Sequence, residues 1–578
     1  MKRNIILSII IILTLPLFTH AQSNQDELRR EVRLYNPFKP SLNKANKLNF
    51  FPEINDTIAA VPEFQYDVIP KAFMPDYKIR SMQAARLQPD PLPELYKGYL
   101  NLGFGNYFSP LAELSISSDR SRKQIAGLYI SHESSYGKLK IDDNTRVYGG
   151  YMDNYASLYA TKLFRRANLG GVIDFNHIRR YAYGGDPVLI APETGKDSLR
   201  IEYFNPRGEL NLYSTRLDSS KISYDLKLKY DLLYQNSIFY QHLAAFDSDF
   251  GYDFDIFYAT LGAGYQMITI PNIEDKLRHK VVLSPAINKR TGNWSFILGA
   301  RITAAARYFD VPSAGSEYKT KLFFHPDLSF SFNIIPSILK MYVGLDGEYT
   351  DNTANQVIYD NPFVISHNMN GEVEADENLY TIQPTDVQLR VKGGFKGFAT
   401  EKTGYSFKVS YSMFNDMLFY INDAFQGRGF TPVYDSGELL RLNAGFYTDI
   451  NDRISISGQA GYYDYRLETL EEAWNKQSWD GVLKIEYNLR DKIIARTGVY
   501  AISKRYGRFG PMSYSSSTDY QVSEMPMNLN LNLNLEYRYT KILSFWMRVN
   551  NISLNRYYEW NLYPSRGFLF MAGFTYSL

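Results

Sequence analysis

Leu529, Leu531, Leu533 and Leu535 alternate with Asn528, Asn530, Asn532 and Asn534. Glu536 and Arg538 then continue the polar set, while Tyr537 and Tyr539 continue the apolar one. A repeat of two places successive side chains on opposite faces, which predicts a β-strand with one apolar and one polar face. The same alternation runs from Tyr96 to Leu578. It is clearest in 222–230, 328–334, 387–395, 405–413 and 483–489. No stretch carries a 3.6-residue period long enough to predict a helix, and no second apolar run has the length of a membrane-crossing helix. Within these strands Lys227, Lys229, Arg390, Lys392, Lys408, Lys484 and Glu486 all fall in the polar set, as do Asn530, Asn532, Asn534, Glu536 and Arg538.

The connections come in two lengths that alternate. Short ones are expected at 165–168, 399–402, 450–453, 490–492 and 540–541. Long ones are expected at 184–198, 310–318, 351–384, 423–433, 507–523 and 557–566. Short turns on one side and long loops on the other are the plan of outer-membrane barrels, whose strand number is even. Counting back from Leu578 to Tyr252 and forward from Tyr96 to Asn236 gives opposite strand directions unless 237–250 holds one further strand. With it the count is 22, and 20 is the alternative. The predicted fold is therefore all-β, a large transmembrane antiparallel barrel over 96–578. In such a barrel the apolar face meets lipid and the polar face a wet lumen. An Arg or Lys on the lipid face near the midplane would cost about 2–4 kcal/mol, so the one-sided charges fix the register and are expected to face the lumen.

Composition changes the picture at the N-terminus. Lys2 and Arg3, an apolar run from Ile5 to Phe18, and small residues up to Ala21 form a secretory signal peptide over 1–21. Its removal brings Lys+Arg from 63 down to the Asp+Glu count of 61, a neutral chain with no signature of a nucleic-acid partner. Residues 22–95 carry prolines at 37, 40, 52, 62, 70, 75, 89, 91 and 93. Proline lacks the N–H a ladder needs, so an extended, Pro-rich periplasmic or lumenal segment is expected there. The 578 residues contain no cysteine, which excludes disulfides, thiolate metal sites and a lipid anchor on Cys. The expected location is the outer membrane of a Gram-negative bacterium, in contact with its lipid and with the barrel assembly machinery. The aromatic-rich terminal strand, through Phe574, Tyr576 and Leu578, would signal to that machinery.

The last fifty residues resemble the end of TonB-dependent outer-membrane receptors. Asn550, Asn551 and Tyr557, followed by Tyr563, Pro564 and Gly567 in YPSRG, carry the resemblance, with an up strand expected through VNNISLNRYY. NPF at 361–363 and GYSFKVSYSMFNDMLFY fit the same kind of barrel. The resemblance implies a 22-strand barrel that binds or passes a solute. NDTIAAV at 55–61 resembles the short segment that engages TonB, placing Asp56, Thr57 and Ile58 as contact residues. Such receptors carry a plug of well over a hundred residues, and the Pro-rich 22–95 departs from that. A scaffold barrel in an outer-membrane complex, its N-terminal segment touching a periplasmic partner, is the alternative.

Enzymatic chemistry is not expected. The seven histidines stand apart, and no nucleophile, phosphate-loop or zinc-protease motif occurs. The acidic stretch GEVEADEN at 371–378 is read as a solvated loop, and no cofactor or metal is expected.

Overall fold

The computed structural model describes residues 96–577 except 119–120, 142–145, 186–195, 216–221, 236–238, 271–276, 312–314, 365–381, 423–427 and 510–519. The expected signal peptide, the Pro-rich segment with Asp56, Thr57 and Ile58, the acidic stretch 371–378 and Leu578 lie outside the described residues. The described part contains a 22-stranded antiparallel sheet closed on itself, with three two-stranded sheets beside it. Its first strand, Gly98–Gly105, pairs with the second, Ser109–Ser117, and also with the last, Leu569–Ser577. Leu100 lies opposite Tyr576 and Leu102 opposite Phe574, so the aromatic C-terminal strand forms the seam of the barrel. Closure leaves no free sheet edge, the condition for crossing a bilayer with strands. Of the stretch 237–250, needed for an even count, residues 239–250 lie within the strand Phe239–Asp253.

Successive strands alternate in direction, so the connections sort to two ends. Tight turns at 164–166, 292–293, 336–338, 401–402, 452–453 and 490–492 fall at one end. The connections 182–199, 351–384, 468–478, 503–527 and 551–568 fall at the other. Two long connections are shorter than expected. Trp294–Val311 and Gly315–Ile335 pair up to Val311 and Gly315, and Phe430–Asn451 begins earlier than the expected loop end. The expected up strand through VNNISLNRYY stops at Asn550. There Asn551 turns into a left-handed conformation, φ 53°, and Leu554 follows at φ 56°. Asn tolerates this better than most residues, which breaks the ladder at that point.

Leu158, Ile173, Leu228, Leu298, Leu322 and Val343 are exposed on the outer face, part of a continuous apolar belt. A water-soluble monomer rarely exposes apolar patches beyond a few hundred Å². Lipid is the solvent that suits this belt. Aromatic side chains mark its borders, with Phe104, Phe108 and Tyr136 at the long-loop end and Tyr252, Phe254, Tyr537 and Tyr539 at the short-turn end.

Candidate functional site: a loop cap and the cavity beneath it

The long-loop end has a second core. Ala182 and Tyr183 come from one connection, Val357, Ile358 and Phe363 from another, and Tyr563 from a third. They pack with Ile201, Leu233, Phe239, Tyr420 and Phe430 at the ends of barrel strands. Tyr563 is 0% exposed. Its ring stacks on Phe363 at 4.0 Å, and Tyr183 meets it edge-on at 5.0 Å. The loop motifs NPF and YPSRG are thus one contact, separated by some two hundred residues of sequence. Three tyrosine hydroxyls around this contact find carbonyl acceptors, while Asn361 Nδ2 and Ser565 Oγ of the two motifs are buried without a hydrogen-bond partner among the described residues. Tyr183 Oη donates to the Pro564 carbonyl at 3.1 Å, Tyr203 Oη to that of Pro362 at 3.2 Å, and Tyr563 Oη to that of Arg428.

The short helix Ala354–Asp360 holds NPF in place. Periodicity could not reveal a seven-residue helix, but its start signal is present. Thr353 Oγ1 accepts from the Gln356 N–H at 3.2 Å, and the Gln356 side chain accepts from the Thr353 N–H at 3.0 Å. Asn355, on the same turn, donates to Asp231 at 3.1 Å and to Asn205 at 3.3 Å. Those two belong to the inner wall, so the helix docks inside the barrel mouth.

Three buried asparagines tie further connections together. Asn561 Nδ2 donates to Asn422 Oδ1 at 2.7 Å, and Asn422 Nδ2 returns a bond to the Asn561 carbonyl at 3.2 Å. Asn475 Oδ1 accepts from the Asn561 N–H at 3.1 Å, while its amide donates to the Tyr420 carbonyl at 2.9 Å. Buried amides paired in this way set a single arrangement, because each orphaned group would cost about 1–3 kcal/mol.

Beneath the cap lies a cavity of about 560 Å³, reached by residues of strands far apart around the ring: Asp153 and Arg180 on one side, Asn530 and Asn532 on the other. Arg180 grips Asp153 with two bonds, 2.6 and 3.1 Å. Arg566 of YPSRG lies 4.3 Å over the Tyr151 ring and donates to the Gly149 carbonyl. Glu559 is exposed to the cavity water, although the cap and wall crowd around it. That crowding pushes its carboxyl above the usual range, against the pull of Arg566, Arg180 and Arg505. The cavity is therefore polar and of mixed charge. Sequence reasoning missed Asp153, Arg180 and Glu559, because pairing across the barrel leaves no local spacing to detect.

The polar residues singled out in the sequence lie along the wall below. Lys227 is 3.4 Å from Asp225 and Lys229 3.8 Å from Asp231. Arg390 reaches Asp346 at 2.6 Å, and Lys392 bonds its other oxygen. Arg496 bridges Glu486 at 2.8 Å and Glu536 at 3.2 Å, and Arg538 takes the second oxygen of Glu536 at 2.9 Å. Lys484, Asn532 and Asn534 line a further cavity of about 410 Å³ with Glu486 and Arg496. Lys408 has no ion-pair partner among the described residues. Asn530 and Asn532 accept the Asn551 N–H at 3.1 and 3.0 Å, which stabilises the left-handed turn that opens the last loop. Phe574 sits opposite Phe545, and Tyr576 opposite Leu543. Among the described residues no group of three or more His, Asp or Glu could hold a metal.

No family model matches the sequence, and no curated protein matches it. Solved structures do match its fold. The ferric-catecholate import receptor Fiu from E. coli K12 superposes with a TM-score of 0.59 at 10% identity, over 84% of this chain and 82% of that one. The pyoverdine outer membrane receptor FpvA from Pseudomonas aeruginosa gives 0.62 at 9% identity, over 84% and 79%. The FrpB iron transporter from Neisseria meningitidis gives 0.61 at 10%, over 84% and 82%. These identities speak for shape alone. Together with the closed sheet, its strand number and its apolar belt, they make this chain an outer-membrane β-barrel with the fold of TonB-dependent receptors.

Proposed function

We propose that the barrel binds or passes a polar solute across the outer membrane, and that the cavity beneath the loop cap is where the solute is held. The observation that carries this reading is the polar cavity of about 560 Å³ between the inner wall and the cap. A barrel of this width cannot be filled by its own side chains, so it needs a closure, and the cap supplies one at the long-loop end. The fold neighbours, an import receptor and an iron transporter among them, support the same reading. On this reading TonB or another periplasmic protein is the partner, contacted through Asp56, Thr57 and Ile58.

Planar-bilayer conductance tests it. The native chain should pass little current. Phe363→Ala/Tyr563→Ala should raise conductance several-fold, measured both in the full chain and in a chain lacking residues 22–95. Silence in all four proteins would remove the transport reading. Alanines at 56–58 that leave solute uptake unchanged would remove the TonB contact.

The dense cap core favours one other reading, a scaffold barrel whose capped end is a fixed surface in a larger complex. Gentle solubilisation and pull-down separates the two, since recovery as a lone monomer speaks against the scaffold.

A further inference from the structure

A second cavity, of about 570 Å³, opens on the inner wall at the short-turn end. Its lining includes Lys340, Lys396, Phe398, Ser406, Tyr447 and Gln459. Lys340 and Lys396 are direct cross-strand partners. Two like charges directly opposite each other destabilise a sheet unless something of opposite sign compensates. Neither has a carboxylate partner among the described residues. Other charges on the wall are paired, as Arg496 is with Glu486 and Glu536.

The positive tract continues up the wall. Lys392 and Arg441 both lie opposite Ser410, and Lys408 is two residues further along that strand. Asp346 is the carboxylate of this group, and it is already bonded by Arg390 and Lys392. Arg441 lies 5.2 Å over the Tyr463 ring instead of on an acid.

Phe398 is 56% exposed and Tyr447 47%, side by side with the two lysines on the lumen wall. Gly404 faces Phe398 and Gly445 faces Ser406; side chains there would fill the space over the floor. The Tyr447 hydroxyl donates to Asp449, so one acid lies beside this floor, but none among the described residues pairs with the two ammonium groups at its edge, and exposed rings next to unpaired ammonium groups suit an anion with an apolar body.

We propose that this cavity binds an organic anion with an aromatic or apolar body and at least two carboxylate or phosphate groups. The lysines neutralise the acids, and the rings cover the body. Lys392, Lys408 and Arg441 extend the same positive surface toward the cap, giving the anion a continuous track along the wall. The proposal deepens the solute-binding reading above by naming a chemical class, and it requires binding only, not passage.

Isothermal titration of the full-length protein in detergent, with benzene-1,3,5-tricarboxylate as probe, tests it. The uncharged 1,3,5-benzenetrimethanol serves as control. The native protein should bind the tricarboxylate and not the triol. Lys340→Gln/Lys396→Gln should lose at least tenfold in affinity, Phe398→Ala severalfold, and Lys340→Arg/Lys396→Arg should retain binding. Lys402→Gln, in an exposed turn, should leave it unchanged. Heat-modifiable gel mobility reports that each variant still closes its barrel. No binding to the native chain, equal binding of the triol, or undiminished binding to the double glutamine variant would each overturn the proposal. An acidic peptide that binds tightly while the tricarboxylate does not would also overturn it and would point to a protein partner. Tricarboxylate binding with silent conductance would keep this site and sink transport.

Discussion

The two ends of this barrel are built on different physical terms. At the short-turn end the strands simply reverse. Asn451, for example, uses its side-chain oxygen to accept the N–H groups of Arg453 and Ile454 at 2.9 and 3.0 Å. Nothing there needs a core, and the wall stays wet enough to carry Lys340 against Lys396. At the long-loop end the connections meet across the mouth and exclude water, as in a soluble protein. The difference teaches that one chain can hold two cores in separate solvents. The barrel is stabilised by a closed hydrogen-bonded ladder in lipid. The cap is stabilised by apolar burial in water. The two should therefore fail separately.

The largest separation is expected from Tyr563→Ala. It removes a fully buried ring with its stacking partner and a hydroxyl bond, a change that typically costs about 3–5 kcal/mol. The loops should become sensitive to protease while heat-modifiable mobility stays native. Joint loss of both would show that the cap and the barrel are one cooperative unit. Leu533→Arg tests the opposite arm. It places a charge on the outer face of the Asn528–Arg538 strand, where about 2–4 kcal/mol is expected near the midplane. Assembled barrel should fall sharply in the outer-membrane fraction, without any lesion in the loops.

A smaller effect is expected at Asn561. Asn561→Ala removes the amide bond to Asn422 Oδ1 and the acceptor of the Ser523 hydroxyl, while its main-chain bonds to Asn475 and Asn422 remain, and each buried polar group left unpaired costs about 1–3 kcal/mol. Amide exchange should quicken in 468–478 and 551–568 and stay slow in the strands. Normal protection in both loops would mean that the asparagine network does not hold the cap.

The sequence reveals one of these two regions far better than the other. Alternation of Leu and Asn exposes the lipid and lumen faces because neighbours in sequence occupy opposite faces, so the signal is local. The strand count was legible for the same reason, and the one hidden strand, Phe239–Asp253, was recovered from the need for an even number. The cap was not legible. Tyr183, Val357, Phe363 and Tyr563 lie in short apolar clusters on three separate connections, too short to show a period, and only the closed ring brings them together. The motifs NPF and YPSRG were visible as words, but their meeting was not. Arg180 with Asp153, and Lys340 opposite Lys396, were hidden likewise, since pairing partners sit on different strands with no fixed spacing.

The finest test uses acidity. Crowding by the cap and wall raises the Glu559 carboxyl above its unfolded value, so the folded cap holds a proton that the unfolded loop has already released. The stability tied to this group is full below the unfolded value and is lost as pH rises through the folded one. The cap should therefore loosen modestly as pH rises out of the carboxylate range, read as faster proteolysis of the loop 551–568. Glu559→Gln keeps the shape, removes the titration and should flatten that profile. Arg566, Arg180 and Arg505 surround the carboxyl and oppose the shift, so the change is expected to be small. At the short-turn end no comparable change should follow, because the Asn451 bonds that hold turn 451–454 do not titrate and the Lys402–Asp452 pair beside it is exposed and contributes little. A pH profile of equal slope at both ends would mean that the proton acts on the barrel as a whole, and the division into two independently stabilised regions would then be wrong.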